Sequence, residues 1–193
     1  MENLFKQKII VILLLLFCIG LSGCSKSPKA EENVKNIVVP ENLIEFSRTT
    51  AEEMKKSYQE LGDDYCTDAY VNGETLVMVM NDEQIQNMLD YNDDWVKELK
   101  DKFENSGEGY QIIGSEDYTK VIFKYDENME IDLQIRTIYG IIGMYAINYV
   151  ITQNENWSVE VEIVNCHTGK MVAKGNLPGT PLNFGENEWA NSY

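Results

Sequence analysis

The chain has 193 residues, of which 44% are hydrophobic, and a formal net charge of −16 at pH 7. Its hydrophobic share is enough for a folded core, which excludes a disordered acidic tail. About 150 of the residues are available for a globular part, and that length suits one domain. Its 32 acidic and 16 basic residues leave no basic stripe to neutralise phosphates, which argues against nucleic acid as a partner and against lying flat on an anionic membrane.

The N-terminus has the plan of a secretory signal. Two lysines precede the apolar run IIVILLLLFCI, residues 9–19, which is shorter than the roughly 20 apolar residues needed to cross a membrane. The run is followed by Leu21-Ser22-Gly23-Cys24, which resembles the lipobox of bacterial lipoproteins. The resemblance implies that Cys24 Sγ takes a diacylglyceryl group and that signal peptidase removes residues 1–23. The alternative is an ordinary cleaved signal with a chance cysteine.

The lipobox resemblance predicts where the protein is located. Two acyl chains hold a protein stably on a membrane, whereas a single chain holds it only marginally. We therefore expect a lipid anchor at Cys24 on the extracytoplasmic face of the cell membrane. Residues 24–39 are mostly polar and charged, and they predict a flexible tether between this anchor and a single domain over residues 40–176. In this plan the chain is similar to the small lipoproteins of Gram-positive bacteria.

The first predicted helix covers residues 41–61. Pro40 suits its first turn, Gly62 suits its end, and apolar residues recur between them at helical spacing. Two β-prone runs follow, YCTDAYV and ETLVMVM, and they meet at Asn72-Gly73. Because Asn-Gly favours a type I′ turn, the sequence predicts a β-hairpin here.

An internal repeat extends this pattern along the chain. TLVMVMNDEQIQNML from Thr75 and TKVIFKYDENMEIDL from Thr119 share Thr, Val, Asp-Glu and Leu at an offset of 44 residues. In each copy a strand runs into an Asp-Glu pair that can cap a helix. The repeat predicts three helix–hairpin units, with helices at 41–61, 82–106 and 127–152 and hairpins at 65–80, 110–125 and 157–175.

The predicted fold class is α+β, with an antiparallel sheet covered by helices. The third helix is ambiguous, because its first half also alternates with the period of a strand. The alternative is a β-meander over residues 129–175 after N-terminal helices. Residues 177–193 are rich in Pro and Gly and predict a loop and tail, whose aromatic residues either tuck against the domain or serve for docking.

Four cysteines limit the chemistry. Cys18 leaves with the signal and Cys24 is the lipidation site, so only Cys66 and Cys166 remain. A compartment outside the cytoplasm permits a disulfide between these two, and the alternative is two free thiols.

No catalytic or metal-binding residue is predicted. Cys166 precedes the single histidine, His167, but adjacent residues of a strand point to opposite faces, and no orienting partner is visible. One His and two Cys are too few for a Cys₄ or Cys₂His₂ zinc site. The stretch Asp90–Asp101 has carboxylate spacing like a calcium loop, but Trp95 stands where a glycine is needed, which favours a solvated helix face.

The sequence therefore predicts a non-enzymatic binding or interaction module of the cell envelope, without a cofactor. Its expected partners are the membrane, through lipidated Cys24, and a cationic ligand or an envelope protein. The alternative function is a carboxylate-dependent hydrolase of the envelope, which would need two acids facing each other across a cleft.

Overall fold

The computed structural model describes residues 33–153 and 156–193. The predicted signal peptide, Cys24 and residues 25–32 of the predicted tether lie outside the described residues. Residues 33–193 form a compact unit. None of the helices in its described part is long and apolar enough to cross a membrane.

The described residues of this unit form five helices and two sheets, and the α+β class is confirmed. The strands are β1 (Lys35–Val39), β2 (Asp68–Asn72), β3 (Thr75–Met80), β4 (Gln111–Gly114), β5 (Lys120–Tyr125), β6 (Val159–Asn165) and β7 (Met171–Leu177). The helices are α1 (Glu41–Phe46), α2 (Ala51–Leu61), α3 (Asp82–Glu104), α4 (Ile131–Gln153) and α5 (Glu186–Asn191).

The first sheet has the order β1-β3-β2 and is antiparallel throughout. Its strand β1 occupies residues 35–39, which the sequence assigned to the tether. That assignment was wrong for these residues, because Ile37 and Val39 are buried and the whole strand pairs with β3. The predicted hairpin of β2 and β3 is confirmed, but its turn lies at Gly73-Glu74. Of the two turn residues only Gly73 has a positive φ, so the turn is not of type I′.

The second sheet has the order β4-β5-β6-β7. Its two outer pairs are the predicted hairpins, and both are antiparallel. The two hairpins meet through β5 and β6, which run parallel. The prediction of one antiparallel sheet was therefore wrong in this respect. A parallel pair needs a long crossover, and α4 supplies it between β5 and β6.

The helices follow the predicted pattern with three differences, one of which is that residues 186–191, predicted as part of a loop and tail, form α5. The helix predicted over residues 41–61 is two helices, because Thr50 caps α2 with a reciprocal pair of hydrogen bonds to Glu53. The third helix is confirmed and the β-meander alternative is wrong. This helix begins at Ile131, and Asp126 lies in the turn before it rather than at its cap.

One hydrophobic core runs through both sheets and four of the helices. Helix α4 packs against α3, β1 and β6, and ten of its residues are buried, which explains why its apolar pattern covers nearly the whole helix surface. The predicted tail tucks against the domain: α5 contacts β7, and Trp189 is buried with its ring 5.0 Å from that of Tyr125.

Candidate functional site

A cleft of about 630 Å³ lies among α2, α3 and α4 and the turn before α2. Its size falls in the range of sites for small molecules. Most of its walls are apolar or aromatic side chains: Phe46, Met54, Tyr58, Leu61, Met88, Tyr91, Trp95, Ile135, Tyr139, Met144 and Ile147. An apolar surface of this extent can exclude water from the body of a bound molecule.

The cleft has a rigid floor and an exposed rim. Met88 and Asn92 lie at the floor and are buried, and Asn92 Nδ2 donates a hydrogen bond to Asn148 Oδ1 at 2.7 Å. On the other hand, Tyr91 and Tyr139 are each more than two-fifths exposed. Exposed aromatic side chains around a concave apolar surface are typical of a binding site rather than of a core.

Two glycines of α4 line the cleft and shape one wall. A Cβ atom on Gly140 would lie 2.8 Å from the ring of Trp95, so the absence of a side chain lets α3 approach α4. At Gly143 the nearest atom would be 4.0 Å away, in the ring of Phe46. Gly143 therefore leaves open space in the cleft.

The charges of the cleft differ in sign from those of the chain as a whole. Arg48 and Arg136 are the only two arginines of the sequence, and both line the cleft. The single carboxylate among its described lining residues is Glu60, which forms an ion pair with Lys56 at 3.7 Å. Within the described ranges, no ion pair includes either arginine. Both guanidinium groups are therefore available to a ligand.

The position of Arg48 is conformationally unusual. Its φ is +53°, a region that non-glycine residues seldom adopt. The conformation closes the short turn between α1 and α2, in which Ser47 Oγ donates to the carbonyl of Leu43 at 2.9 Å. Strained backbone of this kind concentrates at ligand-contacting positions.

The carboxylates do not form a hydrolytic pair in this cleft. Glycoside hydrolysis needs two carboxyl groups facing each other, and among the described lining residues Glu60 is alone. A carboxylate pair does occur elsewhere: a hydrogen bond to Glu74, and the negative charge of Glu74, raise the pKa of Glu41. These two side chains are on the surface, at the start of α1 and in the turn between β2 and β3, away from the cleft.

A second group of side chains lies at the end of the parallel strands. Because Tyr125 pairs with Asn165, the residues that follow them, Asp126 and Cys166, come out at the same edge of the sheet, with His167 next in the chain. One potential ligand atom from each of Asp126, Cys166 and His167 lies within 4.8 Å of the others. We call these three residues the Asp-Cys-His cluster.

Hydrogen bonds fix the carboxylate of the cluster. Asp126 Oδ1 accepts from Tyr110 Oη at 2.7 Å and from the backbone N–H of Asn128 at 2.9 Å, and Oδ2 lies 2.9 Å from His167 Nε2. Burial alone would raise the pKa of Asp126, but the bonds from Tyr110, His167 and Asn128 outweigh it and lower the pKa. Asp126 is therefore an ionised, oriented acceptor.

Cys166 is not activated as a nucleophile. Burial and the negative charge of Asp126 raise the pKa of its thiol, so the thiol is protonated at neutral pH. A Cys–His nucleophile needs the opposite shift. The sequence argument against a nucleophilic Cys166–His167 pair thus has support from the electrostatics.

The two cysteines that the sequence offered for a disulfide are free thiols. Cys66 lies beside the first sheet, where its thiol donates to the carbonyl of Asp68 at 2.9 Å, whereas Cys166 follows β6 in the second sheet. The disulfide between Cys66 and Cys166 is thus not formed in this structure. Residues 90–101 lie within α3, as predicted, but the predicted solvated face is not solvated throughout, because Asn92 is buried.

Sequence reasoning missed Arg48, Arg136 and Asp126 as site residues, and it considered Cys166 and His167 but rejected them. The roles of Arg48 and Arg136 depend on the packing of α2, α3 and α4, although their rarity in an acidic chain was a visible signal. Asp126 was assigned to a helix cap by the repeat, and its proximity to Cys166 depends on the parallel pairing of β5 and β6.

No protein-family model, curated protein or solved structure matches the chain.

Proposed function

We propose that this protein is a non-enzymatic binding protein of the cell envelope, held at the outer face of the membrane by a lipid on Cys24, and that its ligand site is the cleft among α2, α3 and α4. The ligand is an amphiphile with an apolar body and one anionic head group. The observation that carries the proposal is that both arginines of a chain with net charge −16 line its apolar cleft.

The apolar walls define the body of the ligand. Their aromatic and aliphatic side chains would contact the body, and each buried CH₂ would contribute about 0.8 kcal/mol to binding. Methionine side chains, of which Met54, Met88 and Met144 line the cleft, adapt to irregular apolar shapes. An extended or branched hydrocarbon fits this surface better than a polar molecule such as a sugar.

The arginines define the head group. A guanidinium group offers donors in a planar fork that matches a carboxylate or phosphate. The rest of the surface is acidic and repels anions, so an anionic head group is attracted to the cleft in preference to other parts of the surface. The cationic ligand predicted from net charge remains a separate prediction for the outer surface, since the cleft itself carries an excess of positive charge.

Binding is tested with residues 33–193, once cooperative thermal unfolding shows that this segment folds. Long-chain fatty acid, the alcohol of equal length and the amine of equal length are titrated. Tryptophan fluorescence is the readout, since Trp95 lines the cleft, and Trp95→Phe identifies its share of the signal. We expect the acid to bind about 10- to 100-fold more tightly than the alcohol, since hydrogen bonds to charged groups contribute about 1.5–3 kcal/mol. The amine should bind least tightly.

Charge variants separate the cleft from the general surface. Arg48→Gln and Arg136→Gln should each weaken the binding of the fatty acid and leave the affinity for the alcohol unchanged. The matched control is Lys102→Gln, which removes a positive charge from α3 outside the cleft, where Lys102 pairs with Glu98. Equal affinity for acid and alcohol, or equal losses in all three variants, would contradict the anionic head group. No binding of any amphiphile would contradict the cleft as the ligand site.

The anchor is tested in bacterial cells with the full-length chain. Cys24 and Leu21-Ser22-Gly23 support a lipidated N-terminus through their order and spacing. We expect the wild-type protein to partition into the detergent phase after membrane extraction, and Cys24→Ala to lose both the lipid and the mass it adds. Cys66→Ala is the matched control and should stay lipidated. An unchanged mass and partition in Cys24→Ala would refute the anchor.

A further inference from the structure

We propose that the Asp-Cys-His cluster binds a divalent transition-metal ion, Zn²⁺ by the chemistry of its donors, with Asp126, Cys166 and His167 as the three protein ligands. This site is separate from the proposed amphiphile cleft, because the two share no residue. The proposal does not depend on the function of the cleft.

The donors are those that zinc prefers. Thiolate sulfur, imidazole nitrogen and carboxylate oxygen are its usual protein ligands, and a mixed set of three leaves a fourth position for water. Magnesium and calcium prefer oxygen ligands alone, so the sulfur of Cys166 selects against them. The His167 side chain is 52% exposed, which gives an ion and its water an open path from solvent.

The backbone brings the donors together without local strain at the three ligands. The parallel pairing of β5 and β6 continues past the strands: the N–H of Cys166 donates to the carbonyl of Tyr125 at 3.0 Å. Asn165 then holds the turn, since its Oδ1 accepts from the backbone N–H of His167 at 2.9 Å. Asn165 Nδ2 is itself bonded to Ser192 Oγ at 2.9 Å.

A second layer of hydrogen bonds orients Asp126. Tyr110 Oη and the N–H of Asn128 both bond to Oδ1, which leaves Oδ2 directed at His167. Metal-binding carboxylates are commonly fixed in this way by partners of their other oxygen. Asp126 Oδ2 and His167 Nε2 need to move apart only slightly, because ligands 2.0–2.2 Å from a tetrahedral zinc lie about 3.3–3.6 Å apart, against 2.9 Å here. The ligand atom of Cys166 lies within 4.8 Å of both and moves inward to bind.

The charge balance of binding is simple. Because Asp126 is ionised, His167 Nε2 carries the proton of its hydrogen bond to Asp126 Oδ2. When Zn²⁺ takes the place of this bond, Nε2 releases its proton to solvent, Nδ1 holds the single ring proton of the neutral imidazole, and the Nε2 lone pair binds the ion. The Cys166 thiol gives its proton to solvent and binds as thiolate. Glu127, whose charge also acts on Cys166, adds to the negative field that favours a cation at this edge of the sheet.

Cobalt(II) tests the site directly, because thiolate ligation produces an intense near-ultraviolet charge-transfer band and tetrahedral geometry an intense visible band. The full-length protein is prepared in detergent without a polyhistidine tag, since His167 is the single histidine of the chain. We expect both bands at one equivalent of Co²⁺ and their loss when Zn²⁺ is added.

Four variants assign the ligands. Cys166→Ala should lose the charge-transfer band, whereas Cys66→Ala, which removes the other described thiol, should keep it. His167→Gln, at an exposed side chain, and Asp126→Asn should each lower the affinity for Co²⁺ about 100-fold or more. If Asp126→Asn does not fold, His167→Gln still tests the cluster. No bands at millimolar Co²⁺, or bands kept in Cys166→Ala and lost in Cys66→Ala, would overturn the site.

Tyr110 provides a finer test of the orientation. Tyr110→Phe removes only the hydroxyl that bonds to Asp126 Oδ1. Because Tyr110 is a positioning residue and not a ligand, this variant should lower the affinity for Co²⁺ about 10-fold and keep the charge-transfer band at saturation. An unchanged affinity in a folded Tyr110→Phe protein would contradict the orientation of Asp126 as described.

Discussion

Among the described residues, Thr137 carries the single buried side-chain oxygen or nitrogen atom that has no hydrogen-bond partner. Its side chain is fully buried in α4, and Oγ1 has no partner there. A buried hydroxyl without a partner lowers stability by the cost of its desolvation. Thr137→Val keeps the shape and the β-branch, so we expect the free energy of unfolding to rise by about 1 kcal/mol in urea denaturation.

The control for Thr137 lies on the same helix. Thr152 Oγ1 donates to the carbonyl of Asn148 at 2.8 Å, so Thr152→Val removes a hydrogen bond that is made. It should leave stability unchanged or lower it. If both valine variants shift stability in the same direction and by the same amount, helix propensity and not the buried hydroxyl explains the change.

At the residue scale, the sequence predicts local chemistry better than spatial proximity. Asn72-Gly73 correctly indicated a hairpin, yet the turn lies one residue further on, because strand pairing fixes the register. The cap at Thr50 was readable as Thr-x-x-Glu and was overlooked within a longer apolar pattern. Asp126 had no local signal for its partner His167, which is 41 residues away.

At the scale of elements, two glycines of α4 form a matched pair. Glycine in a helix interior costs about 1 kcal/mol relative to alanine. Gly143→Ala meets open space, so we expect it to stabilise the protein by about that amount. Gly140→Ala places a Cβ atom against Trp95 and Leu99, and the displaced contacts should cancel or reverse the gain. Thermal and urea unfolding measure both, and equal stabilisation would contradict the close packing of α3 on α4.

An ion cluster ties three strands of the second sheet together. Glu160 on β6 accepts from Lys120 on β5 at 2.8 Å and from Lys174 on β7 at 2.7 Å. These bonds lower the pKa of Glu160 to about 2. Because the folded-state pKa lies below the unfolded value near 4.5, the stabilisation is present above pH 4.5 and is lost as pH falls toward 2.

The variant Glu160→Gln tests this linkage. It should lower the melting temperature at pH 7, and the difference from wild type should shrink as pH falls from 5 to 2. Glu108→Gln removes an exposed charge outside the cluster and is the control. A difference between wild type and Glu160→Gln that is independent of pH would show that the lost side chain, and not its charge, matters.

The long helices and hairpins were predictable because their signals are local. Helical spacing identified α3, and paired β-prone runs identified three hairpins. Strand β1 was not predictable in this way, since five residues with two inward positions resemble the end of a linker. The joining of β5 to β6 was hidden as well, because sequence patterns do not say which hairpins share a sheet.

At the scale of the whole molecule, the C-terminal segment is part of the fold. Trp189 on α5 is buried, and its ring lies 5.0 Å from that of Tyr125. Trp189→Ala should reduce the free energy of unfolding by about 3–5 kcal/mol, as for other buried aromatic residues. Asn187→Ala, at an exposed position of the same helix, should change it little. Urea denaturation decides, and similar small losses for both variants would mean that α5 is not required for stability.

The class of the molecule was predictable from composition and periodicity, whereas its division into two sheets was not. One core serves both sheets, and α4 crosses between the strands that join the second hairpin to the third. The cleft also arises at this scale, because α2, α3 and α4 contribute its walls from distant parts of the chain. Arg48 and Arg136 line the same cleft only because these helices pack together.

The pairing of β1 with β3 sets a distance limit for the protein in the cell. The strand is fixed from Lys35 onward, so ten residues, and eleven Cα–Cα steps, separate Cys24 from the sheet. A chain of that length, fully extended, spans at most about 40 Å. If Cys24 carries the lipid as proposed, the start of β1 stays within about 40 Å of the bilayer surface, and the rest of the domain extends from that point. The proposed anchor would then keep the cleft close to the bilayer, which is the source of amphiphilic molecules.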